Sequence, residues 1–96
     1  MGLSIKVKSV LPLDNMMLSV IFENGECKQY DVKQLIKQFP IFKELENRSL
    51  FDLVHVDCGG YAIAWNSDID IPEVELYENG IDENLNGFSY PLYKIA

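Results

Sequence analysis

Two glycine turns, each set between runs that alternate apolar and polar residues, constrain this chain more than any other feature. Asn24-Gly25 follows Met16, Leu18, Val20 and Phe22, which recur at every second position. Gly59-Gly60 separates residues 51–58 from residues 61–66. A repeat of two puts one set of side chains on one face of a strand. Asn-Gly and Gly-Gly supply the positive φ that a tight connection needs. The chain therefore reads as two antiparallel hairpins.

The first hairpin admits two registers. A two-residue turn pairs Phe22 with Cys27 and leaves Tyr30 and Val32 on the face opposite Leu18. A three-residue loop with a glycine bulge pairs Phe22 with Glu26 and Leu18 with Tyr30, so that burial can stabilise Tyr30 and Val32. That argument favours the second. In the other hairpin a two-residue turn sets Cys58 against Tyr61, Val56 against Ile63 and Val54 against Trp65. Those six make one apolar face.

The remaining segments follow local rules. Residues 4–11 alternate, with Ile5, Val7, Ser9 and Leu11 on one side, and Pro12 ends the strand. Asp31 caps a helix at 32–38, with Gln34 at the capping-box position and Leu35, Ile36 and Phe39 on its apolar side. Pro40 stops that helix. Residues 41–45 read as a further helical turn and residues 46–49 as a polar loop. Asp70-Ile71-Pro72-Glu73 reads as a capped start to a helix at 71–78, ending at Asn79-Gly80.

The expected fold class is α+β: a mostly antiparallel sheet of about five strands from two hairpins. A helical segment at 32–45 packs on one face and a short helix lies at 71–78. With 96 residues, 48% of them hydrophobic and 24% charged, one globular domain is expected. Residues 1–80 are assigned to it. Residues 81–96 read as a C-terminal extension that docks on the domain or on a partner chain through Phe88, Tyr90 and Tyr93.

Charge and residue counts exclude several functions. Eight Lys and Arg against fifteen Asp and Glu give −7, too little positive charge for a face that neutralises phosphates. Direct nucleic-acid binding is not expected. His55 is the single histidine, so sites needing two are excluded. The run Asn66, Asp68, Asp70, Glu73, Glu75, Glu78 invites calcium. However, the glycine required at the sixth loop position is Ile71 or Glu73, so the motif fails. Cys27 and Cys58 form no Cys-x-x-Cys pair. No Gly-x-Gly-x-x-Gly is present. Trp65, across from Val54, reads as core. No metal or cofactor is expected. The first residues alternate rather than form a signal-peptide core, and no run approaches a membrane helix, so a cytoplasmic protein without membrane contact is expected.

The order of residues resembles a known family. Leu18-x-Val20-x-Phe22-x-Asn24-Gly25 is followed by Phe42-x-x-Leu45, by Leu50-Phe51 and by Val54-x-Val56-Asp57. Gly60-Tyr61-Ala62-Ile63-Ala64-Trp65 then precedes Asp70-Ile71-x-Glu73-x-x-Leu76-Tyr77. The series is similar to the bacterial domain-of-unknown-function family 2442, over roughly residues 5–78. The resemblance implies a small α+β domain and no established activity, cofactor or catalytic residue. Its members are often encoded beside another small protein, which suggests a toxin–antitoxin role. Some carry an added helix-turn-helix domain, for which these residues leave no room.

The functional expectation is a non-catalytic protein-interaction module, the antitoxin-like member of a two-protein pair. Its partner would be a small basic protein, steered by Glu73, Glu75, Glu78, Asp82 and Glu83. One alternative is a small-molecule-binding or enzymatic domain with a site near Trp65, Tyr61 or His55, although alternation sets His55 and Trp65 on opposite faces. The other is a homodimeric structural module, paired through an edge strand or the tail.

Overall fold

The computed structural model describes residues 5–83. The chain is α+β, and its strands divide between two antiparallel sheets rather than forming one. The first sheet contains β1 (Val7–Pro12), β2 (Met17–Phe22), β3 (Cys27–Asp31) and β7 (Ile81–Asp82), in the order β1-β2-β3-β7. The second contains β4 (His55–Asp57), β5 (Ala62–Ala64) and β6 (Asp70–Pro72), in the order β4-β5-β6. Helical segments join them: 3-10 stretches, α1 (Arg48–Phe51) and α2 (Glu73–Asn79).

The first hairpin takes the three-residue loop. Leu18 pairs with Tyr30 and Ile21 with Cys27. The Phe22 N–H donates to the Glu26 carbonyl at 2.9 Å, and Gly25 sits at φ 93°. Burial decides the register as argued above: Leu18, Val20, Phe22, Tyr30 and Val32 are all fully buried.

β1 departs from simple alternation. Val7 pairs with Phe22, but Ser9 pairs with Ile21, so one extra residue is inserted at Lys8. A bulge of this kind moves later residues to the other face. Val10, not Leu11, then faces the core, and Leu11 is exposed.

The helical segment at 32–45 is present as two 3-10 stretches, Val32–Leu35 and Pro40–Glu46. The Asp31 carboxylate accepts from the Lys33 N–H at 2.9 Å and caps the first. Proline forces the residue before it to extended backbone, and Phe39 lies at φ −134°, ψ 89°. Phe39 is therefore turned out of the apolar side expected for it and is half exposed. The polar stretch 46–49 is not all loop. Asn47 accepts from the Ser49 N–H and caps α1, which carries Phe51 into the core.

The second hairpin is shorter than expected, because residues 51–54 belong to α1 and the turn after it. Val56 does pair with Ile63. The connection spans residues 58–61 rather than two glycines, with Cys58, Gly59 and Gly60 all at positive φ. That turn rolls Cys58 and Tyr61 out of the apolar face, and both are exposed.

Asp70 does not cap a helix. It lies in β6, where Ile71 pairs with Ile63, and α2 begins only at Glu73. Burying an isoleucine is worth about 1.5–3 kcal/mol, against about 1 kcal/mol for a cap, so the strand wins. Pro72 suits an edge strand, since it has no N–H to pair. α2 ends at Gly80 as expected, and residues 81–82 continue onto β3. One shared core of Val7, Leu18, Val20, Ile63, Trp65, Ile71 and their neighbours joins both sheets.

Candidate functional site

The acidic residues singled out in the sequence are dispersed. Glu73 is buried, only 7% exposed, at the first position of α2, where its N–H donates to the Tyr61 carbonyl. Glu75 is half-buried and accepts a 2.7 Å hydrogen bond from the Tyr30 hydroxyl. Glu78 is exposed. Asp82 stands beside Lys28 in the β3–β7 register, and Glu83 accepts from the Ser19 hydroxyl at 3.3 Å. Glu75 and Glu78, three residues apart, share one side of α2, but Glu73 is buried, so the three do not form one continuous exposed face. Phe88, Tyr90 and Tyr93 lie outside the described residues.

Trp65, Tyr61 and His55 do not converge. Trp65 is 3% exposed, with its indole N–H donating to the Phe51 carbonyl at 2.9 Å. Its ring packs against Phe51 and edge-on against Phe42. Tyr61 lies on the surface under the Lys6 ammonium. His55 is exposed, with Nδ1 3.0 Å from the Leu53 carbonyl.

A concavity lies elsewhere among the described residues, between the 35–42 segment and the 68–75 segment. It is a groove of roughly 480 Å³. Leu35, Phe42 and Ile71, all buried, make its floor. Phe39, Ile41 and Pro72 stand along its walls and remain exposed. Asp68, Asp70 and Glu75 contribute carboxylates, and no Lys, Arg or His is among its described lining residues. Local chemistry builds both sides. Pro40 holds Phe39 extended and turned outward, and Ile41 lies on the exposed side of the 3-10 stretch that follows. On the other side, the Asn66 side chain accepts from the N–H groups of Asp68 and Ile69, a tight turn that holds Asp68 at the rim.

Over residues 7–82 the chain matches the family model described as "Protein of unknown function (DUF2442)". The chain belongs to the DUF2442 family. The DUF2442 match extends to β7, beyond the expected end at residue 78, and covers both sides of the groove. No curated protein and no solved structure matches this DUF2442 member. Among its described residues, no group of three or more His, Cys, Asp or Glu is placed to hold a metal ion. No described helix is long and apolar enough to cross a membrane.

Sequence reading missed Phe39 and Ile41 as surface residues. The available signal was an apolar residue on each side of Pro40. It also met Asp68 only as a calcium candidate, and Asp70 as a calcium candidate and a helix cap.

Tyr30 ties the groove to the core. Its burial, and then its hydrogen bond to Glu75 and that residue's charge, push the phenol well above the ordinary tyrosine value. Below about pH 10 the folded and unfolded chains both hold this proton, and its contribution is complete. Above that, the unfolded chain releases the proton while the folded chain keeps it, so stability falls as pH rises. Tyr77 is pushed up too, chiefly by its hydrogen bond to Glu26. Urea midpoints should therefore drop on the alkaline side of that value, and less steeply in Tyr30→Phe. Equal slopes in both proteins would remove Tyr30 as a cause.

Proposed function

We propose that this domain is a non-catalytic cytoplasmic protein-interaction module that docks a segment of another protein in the groove between residues 35–42 and 68–75. The observation that supports this is the groove itself: Phe39 and Ile41 are 51% and 39% exposed over an apolar floor, beside three carboxylates. Exposed aromatic and aliphatic side chains around a concavity are how interfaces seat their anchors. With a net charge of −7 and an acidic groove, the favoured partner is a small basic protein, as in an antitoxin-like pair. A homodimer through this groove is the weaker reading, because it brings two chains of −7 together. The antitoxin-like role also draws on the family resemblance.

The test compares the wild-type protein with the Phe39→Ser/Ile41→Glu double variant as baits in the native host. Both side chains are on the surface, so the fold and its melting temperature should be nearly unchanged. The expected result is one co-purifying basic protein, reduced at least tenfold on the variant. Equal recovery on both baits would overturn the groove as the docking site. Light scattering that gives a dimer for the wild type and a monomer for the variant would favour self-association instead.

A further inference from the structure

The groove's carboxylates are not equivalent. Asp68 and Asp70 are exposed on its rim, where water screens them. Glu75 is half-buried, and one of its oxygens accepts the Tyr30 hydroxyl proton at 2.7 Å. Tyr30 is fully buried in β3 and cannot swing away. A carboxylate oxygen can accept more than one hydrogen bond, so this contact orients Glu75 without consuming it. Glu75 is thus a carboxylate held in place beside the apolar residues Leu35, Phe42, Ile71 and Pro72, with no cation among the groove's described lining residues.

We infer that the groove takes a short segment in which a Lys or Arg follows or precedes an apolar anchor, and that Glu75 reads the cation. This rests on the docking reading above. The apolar side chain fills the space over Leu35, Phe42 and Ile71. The cation reaches Glu75, where low local hydration strengthens the pairing more than at Asp68 or Asp70. Tyr30 is a positioning residue that keeps the carboxylate aimed. A purely apolar occupant would leave Glu75 partly desolvated and without a cation, which disfavours it.

The experiment is selection of random short peptides, displayed on phage, against the whole protein, followed by affinity measurements on synthetic copies of the peptides recovered. The expected outcome is enrichment of peptides pairing Lys or Arg with Leu, Phe, Trp or Tyr. Their affinity should fall about tenfold or more in Glu75→Gln, several-fold in Tyr30→Phe, and with rising salt. Replacing the peptide cation by norleucine should abolish the difference between wild type and Glu75→Gln, a coupling that a merely structural role for Glu75 would not produce. Apolar peptides without a cation, bound equally by Glu75→Gln but lost in Ile41→Glu, would overturn this inference and leave the docking groove standing. Recovery of no peptides, or of peptides indifferent to Ile41→Glu, would overturn both.

Discussion

Trp65→Ala is expected to destabilise the domain by about 4 kcal/mol, the usual scale for truncating a buried tryptophan. The side chain is 3% exposed between Phe51 and Phe42, so its removal leaves a cavity that the segments around them would have to close. The Phe51 carbonyl also loses the indole N–H that it accepts at 2.9 Å. Small domains are stable by only about 5–15 kcal/mol, so a large part of the total would go. Trp65→Phe separates the two effects. It keeps an aromatic ring and loses the hydrogen bond, and should cost about 1–2 kcal/mol. Urea titrations followed by far-ultraviolet circular dichroism check both values. A Trp65→Ala midpoint within experimental error of wild type would show that the indole does not hold Phe51 and Phe42 in the core.

Gly60→Ala is the second large effect. Gly60 lies at φ +101°, and a methyl group there would sit 2.9 Å from the Lys6 Cβ and 3.0 Å from the Val7 carbonyl oxygen. Left-handed backbone costs an ordinary residue roughly 1–2 kcal/mol, and the clash adds a further overpacking cost of about 1–3 kcal/mol. Gly59 is the control. It too has a positive φ, +66°, but nothing lies within 4 Å of its added methyl. Gly59→Ala should therefore cost about 1–2 kcal/mol, from the backbone alone. The difference between the two variants measures how closely the β4–β5 turn abuts the start of β1. Equal losses would mean that Lys6 yields without cost and that this contact does not fasten the second sheet to the first.

The hairpins were legible because their evidence is local. A period of two and an Asn-Gly turn act over a few residues, and the burial of Tyr30 and Val32 selects between two registers that differ by one step. Leu11, by contrast, is turned out by the bulge at Lys8, and nothing near Lys8 announces it. Asp70 shows the same limit from the other side. Its capping signal is sound in isolation, but Ile71 gains more by pairing with Ile63 than the helix gains by an earlier start. The division into two sheets is likewise not announced locally: the 32–51 segment, which links the hairpins in sequence, carries Val32, Leu35, Phe42, Leu45 and Phe51 into the shared core.

The groove was less legible than the fold. Its sides come from segments about thirty residues apart, and no spacing rule joins Phe39 and Ile41 to Asp68 and Glu75. Net charge gave the sign of the surface but not its location. Counting Glu73 with Glu75 and Glu78 treated an acidic stretch as an acidic face. Glu75 and Glu78 share a side of the helix, but burial takes Glu73 out of the solvent.

Phe42 belongs to two neighbourhoods at once: it floors the groove and stands edge-on to Trp65, 6.4 Å between ring centres. Trp65 is the single tryptophan in the chain. The molecule thus carries its own optical probe one ring behind the groove. An occupant that presses on Phe42 should alter the emission of that indole without any label being attached, and a titration in a fluorimeter would follow docking from the inside of the protein.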